Sequence, residues 1–180
     1  MIPTDKCLEF RFFRSILGKG TIMKYRFVTI WRIEAPIEAV CEVIYNSLNW
    51  LQWWSNVVRV DELSPGDAQG IGSVRRYSWR GRLPYRLTFD INVIHIVPLA
   101  TIEGIASGDI EGDGLWSFST EGAVTIVRFE WQAHPTPVWM NLLGLFARPF
   151  FKWNHDAVMQ QGGEALARML NARLVDIAHY

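Results

Sequence analysis

Between residues 57 and 133 the chain runs strand after strand with no helical interval, and beyond that run a helical stripe returns only after Pro137. That order constrains the fold more than any other feature, because strands in direct succession pair antiparallel, whereas a parallel partner needs a crossover of a dozen or more residues. The period of two is clearest in residues 85–93, where Tyr85, Leu87, Phe89, Ile91 and Val93 alternate with Arg86, Thr88, Asp90 and Asn92. Residues 73–80, 101–107, 115–120 and 125–133 also read as strands, and residues 57–60 begin one that ends in SPGDAQGIG, a run of turn residues. Upstream, residues 25–33 alternate as a strand, and Pro36 opens a helix with Val40, Cys41, Val43 and Ile44 on its apolar stripe. In the last helix Phe151, His155, Val158, Met159, Gly162, Leu166, Met169 and Leu170 share one stripe. Pro149 and the Gly162-Gly163 pair are expected to delay, kink or thin that helix. Strand, helix, short helix, a run of strands and a long helix make an α+β class.

Composition narrows the functions. The 180 residues, 49% of them hydrophobic, suit one domain, assigned to residues 23–180. Lys and Arg number 18, as do Asp and Glu, and no block of like charge points to nucleic acid. Cys7 and Cys41 form neither a disulfide framework nor a metal spacing, so a cytoplasmic setting is expected. No apolar run reaches the roughly 18–20 residues of a transmembrane helix. Residues 1–22 place Leu8, Phe12 and Ile16 at helical spacing among Lys6, Arg11, Arg14 and Lys19, which reads either as a surface-seeking basic helix or as a loosely ordered extension.

The segment NWLQWW sets Trp50, Trp53 and Trp54 within five positions. Together they carry roughly 600 Å² of apolar surface, as much as the largest patch usual on a monomer, so something must cover them.

The order of elements and the segments APIEAV, WLQWWSNV, GIGSVRRYSWRGRLPYRLTFD, GDIEGDGLWSFS and WNHDAVMQQGGEAL resemble the SRPBCC superfamily, also called START-like or helix-grip, and particularly its polyketide cyclase/dehydrase branch. The resemblance covers residues 24–174. It implies a curved antiparallel sheet wrapped around a long C-terminal helix, with an apolar cavity between them. It also implies that Trp50, Trp53 and Trp54 cap one end of that cavity as part of its mouth, the alternative being ordinary core filling.

Strand parity sorts the other candidates for contact with a small hydrophobic ligand. Arg75, Tyr77 and Trp79 share a face, so an inward aromatic pair brings a cation to the cavity unless Arg75 snorkels to water. Trp116 and Phe118 form another inward pair, with Phe89 and Trp131 on neighbouring strands. Gly104, Ala106 and Gly108, with Gly112 and Gly114, either leave volume or mark bulges. On the last helix His155 and Met159 face the same way; His155 is either a proton-transfer group or a satisfied core histidine, and Asn154 and Asp156 point elsewhere on the wheel. Asp109, Glu111 and Asp113 crowd a turn, as an acid/base pair or as solvated turn residues. His95, His134, His155 and His179 lack any ligand spacing, so neither a metal nor another cofactor is implied. The expected function is binding of a small hydrophobic or amphipathic ligand; the alternatives are a cyclase-type enzyme using the same cavity and a ligand-free interaction module.

Overall fold

The computed structural model describes residues 24–82, 85–137 and 144–180, with backbone alone at 144–148. The extension expected over residues 1–22 lies outside the described residues. Strand β1 (Tyr25–Glu34) leads into α1 (Ile37–Tyr45), a 3₁₀ turn (Ser47–Asn49) and the single-turn helix α2 (Trp50–Trp53). Six strands follow: β2 (Val57–Ser64), β3 (Val74–Arg80), β4 (Arg86–Val97), β5 (Thr101–Gly108), β6 (Ile110–Glu121) and β7 (Val124–Pro135). Helix α3 (Gly144–Met169) and strand β8 (Arg173–His179) complete the described chain.

All eight strands form one antiparallel sheet in the order β2-β3-β4-β5-β6-β7-β1-β8, curved around α3 and not closed into a barrel. This is the helix-grip arrangement. Alternation sets its register: Phe27 opposes Trp131, which opposes Gly114, so one face carries rings with a gap between them. β8 is an addition to the sequence reading, which assigned nothing after Leu170. Its pattern RLVDIAH lacks clean alternation, and it is held by pairing with β1 from Thr29↔His179 to Glu34↔Arg173.

The last helix is continuous across the residues expected to delay, kink or thin it. α3 runs through Pro149 and through Gly162-Gly163, and the glycines serve packing: a Cβ on Gly162 would strike the Trp54 ring, and one on Gly163 would meet Trp31 at 2.9 Å. The core gathers where α1, α2 and α3 meet the sheet, with Trp31, Ile33, Val40, Cys41, Trp54, Val127 and Leu166 almost wholly buried. Thr125 ties the β1–α1 connection to β7 by donating its hydroxyl to the Ala35 carbonyl at 2.7 Å. The acidic run is not the crowded turn expected of it. Only Asp109 lies in a connection, where it accepts the Thr88 N–H at 2.8 Å, while Glu111 and Asp113 are exposed on β6.

Candidate functional site

The concave face of the sheet and the facing side of α3 enclose a cavity of about 420 Å³. That volume lies within the roughly 300–1,000 Å³ usual for small-molecule sites. Every element from β1 to α3 except β2 contributes to its wall, and the wall is mostly apolar and rich in aromatic rings.

The tryptophan segment is placed by the end of α1. The last carbonyls of a helix have no partner within it, and here the Trp50 indole N–H donates to those of Val43 and Ile44 at 3.3 and 3.2 Å. Trp54 reaches across to α3, donating to the Val158 carbonyl at 3.2 Å with its ring against Gly162. Both rings line the cavity, yet they are 7% and 1% exposed, so they form an inner wall and not a mouth. Trp53 is not on the wall; it stacks on the outer side of Trp54 at 5.3 Å. Trp79 meets Trp54 edge-on at 4.9 Å, and Trp116 stacks on Phe129 at 4.3 Å. Edge-to-face and offset contacts of this kind are the favoured aromatic geometries.

Arg75, Tyr77 and Trp79 all face the cavity, as do Phe89, Trp116, Trp131, His155 and Met159. Phe118 shares the parity of Trp116 but packs in the core against Tyr45, outside the wall. The gap at Gly114 is closed by the Trp131 ring, which a Cβ there would meet at 2.7 Å. At Gly114 the missing side chain therefore admits a large neighbour instead of leaving that space open.

One end of the cavity is polar. Arg75 does not snorkel freely: its Nη1 donates to the Ser47 hydroxyl at 2.9 Å and to the Tyr45 carbonyl at 3.3 Å, and its Nη2 lies 3.5 Å from Glu62. Ser47 and Tyr77 share a 2.7 Å hydrogen bond. Burial pushes the Tyr77 hydroxyl above its ordinary pKa, against the Ser47 hydrogen bond and the Arg75 charge, so it stays a neutral phenol at pH 7. The Arg75 Nε is buried with no hydrogen-bond partner among the described residues.

A second polar group lies on α3. His155 stacks on Phe27 at 4.3 Å with its rings 15° from parallel. Neither ring nitrogen has a hydrogen-bond partner among the described residues. Burial holds its pKa below the ordinary histidine value although Asp156 opposes the shift, and the ring is neutral at pH 7. Asn154, which the wheel placed elsewhere, also lines the cavity and accepts the Arg82 N–H at 2.8 Å. Sequence reasoning missed Ser47 as well, since a lone serine after a helix carries no signal of what approaches it. Tyr25 and Phe27 were legible, standing on the apolar parity of β1. Among the described residues no group of His, Cys, Asp or Glu is arranged to hold a metal ion, and no helix is long and apolar enough to cross a membrane.

No protein-family model matches the chain, and no curated protein matches it by sequence. Solved structures do match its shape. The Zhui aromatase/cyclase from Streptomyces sp. R1128 superposes with a TM-score of 0.66 at 14% identity, covering 83% of this chain and 94% of that one. A START superfamily protein from Mycobacterium smegmatis gives 0.64 at 13% identity, covering 82% and 98%. Ginseng major latex-like protein 151 from Panax ginseng gives 0.55 at 9% identity, covering 78% and 96%. The chain thus has the helix-grip fold, which it shares with these proteins.

Proposed function

We propose that this protein binds a small amphipathic molecule in its interior, with an apolar body along the aromatic wall and an anionic or carbonyl head group against Arg75. The observation that carries this reading is the pairing of a largely apolar cavity of about 420 Å³ with one guanidinium at its polar end. A charge beside an apolar cavity is costly unless paired, and Arg75 meets its carboxylate, Glu62, only at 3.5 Å. A ligand oxygen would complete its coordination with a charge-assisted hydrogen bond. The cytoplasm is the setting that the scarcity of cysteine favours.

Native mass spectrometry of protein purified from its own host, with calorimetric titration of 2-naphthoate, tests the reading. A retained organic molecule or saturable binding of 2-naphthoate is the expected result. Absence of both would overturn it. A second reading, a cyclase-type catalyst, is favoured by the buried neutral imidazole of His155 on the same wall, a group suited to proton transfer near neutral pH. It requires turnover of a flexible polyketide-like substrate, reduced by about 10²–10⁴ in His155→Gln.

A further inference from the structure

Every arginine whose side chain is described lies within 4.0 Å of a carboxylate among the described residues, except Arg80, Arg82 and Arg86. These three are exposed and stand together where β3 turns into β4. Arg80 is paired directly across the ladder with Arg86, an arrangement of like charges that costs stability, and residues 79–89 contain no acid to relieve it. Arg82 is tied to the start of α3: its backbone N–H donates to the Asn154 side chain at 2.8 Å, and its guanidinium carbon lies 5.4 Å from the centre of the Trp153 ring. Trp153 is nevertheless 46% exposed, and Phe150, one turn earlier on the same helix face, is 59% exposed. Apart from Tyr180, these are the exposed large aromatic side chains among the described residues. The unpaired cations and the bare rings thus share one end of the molecule.

We infer that this end of the molecule docks on an anionic lipid surface, with Arg80, Arg82 and Arg86 against lipid phosphates and Phe150 and Trp153 at the level of the head groups. A soluble polyanion accounts for the arginines but leaves the rings in water, and an apolar protein surface accounts for the rings but desolvates the charges. An anionic membrane surface takes both at once: guanidinium groups bind phosphate, and Trp and Phe settle at the boundary of head groups and acyl chains. On the inner side of the same end, Gly81, Tyr85, Phe151 and Asn154 line the cavity, so docking turns that part of the wall toward the lipid. The docking itself does not depend on what the cavity holds.

The test is co-sedimentation of the full chain with vesicles of phosphatidylcholine alone and of an equal mixture of phosphatidylcholine and phosphatidylglycerol. Binding to the mixed vesicles, absent with phosphatidylcholine and weakened by added salt, is the expected result. The triple variant Arg80→Gln, Arg82→Gln, Arg86→Gln should bind the mixed vesicles more weakly by about fivefold for each charge removed, on the order of a hundredfold together. The double variant Phe150→Ala, Trp153→Ala should lose roughly tenfold. A measurement on the unaltered protein guards against variants that fail to fold: bromine-labelled acyl chains in the mixed vesicles should quench its indole emission. Failure to bind the mixed vesicles overturns the assignment, as does binding that the triple variant retains in full, which would place the contact elsewhere, on residues 1–22 for example. Binding to soluble polyglutamate through the same arginines, without binding to vesicles, overturns it in favour of an acidic polypeptide partner.

Discussion

Arg75 shows how one side chain divides the cavity into a head and a body. Its guanidinium is held by the Tyr45 carbonyl at the end of α1 and Ser47 in the turn after it, and by Glu62 across the β2–β3 pairing. Replacing it with Met keeps much of the stem and removes the charge, so Arg75→Met is expected to weaken 2-naphthoate by about 10- to 100-fold, the scale of a hydrogen bond to a charged group. Titrations with 2-methylnaphthalene should be nearly unchanged, and equal losses for both probes would mean that the residue only packs. Arg75 was legible in the sequence because a strand side chain's direction follows from counting. Ser47 and Asn154 were not, because their places depend on chain segments brought together only by the fold.

Titration gives a second expectation at this scale. Burial lowers the pKa of His155 and of His179 below the ordinary value of about 6.5, so the unfolded chain takes up these protons first. Stability is therefore full above about pH 6.5 and declines as the pH falls below it. Asp156, also below its ordinary value, keeps its contribution until far more acid pH. The urea midpoint should be lower at pH 5 than at pH 7.5, and the difference should shrink in His155→Gln. A midpoint that does not change between these pH values would contradict a buried neutral imidazole.

At the scale of elements, α3 carries a conflict that a substitution can read. Helix propensity alone favours Ala over Gly by about 1 kcal/mol, but a methyl group on Gly162 collides with the Trp54 ring that donates to Val158. Gly162→Ala is expected to destabilise by about 1–3 kcal/mol, the usual cost of overpacking, in urea unfolding. A gain in stability would show that the ring moves aside freely. The central strands were legible because their dry faces repeat every second residue, and α1 because Pro36 marks its start. β8 was not, since its exposure follows no regular alternation and it exists through its partner. The same dependence runs the other way: β8 covers the edge of β1. Ending the chain after Ala172 would bare a row of unpaired backbone groups. The truncated protein should lose several degrees of thermal midpoint and elute as larger species in size-exclusion chromatography. The opposite edge is already protected, because β2 carries Arg59, Asp61 and Glu62 and two irregularities in its pairing with β3.

Over the whole molecule, the sheet and α3 hold each other apart around space that a ligand can fill. Any molecule that binds the folded chain and not the unfolded one stabilises it by about 2.7 kcal/mol at one hundred times its dissociation constant. Saturating 2-naphthoate should accordingly raise the thermal midpoint by several degrees. The effect should be much smaller in Arg75→Met at the same concentration. The inner wall also has an optical consequence. Trp50, Trp54, Trp79 and Trp116 form a chain of rings with centroid separations between 4.9 and 6.3 Å. At such spacing their electronic transitions no longer behave as those of separate chromophores: excitation absorbed by one indole migrates to the others, and crossed rings such as Trp54 and Trp79, 88° apart, split their far-ultraviolet bands. An energy acceptor that enters beside any one of these rings should therefore drain the emission of all four.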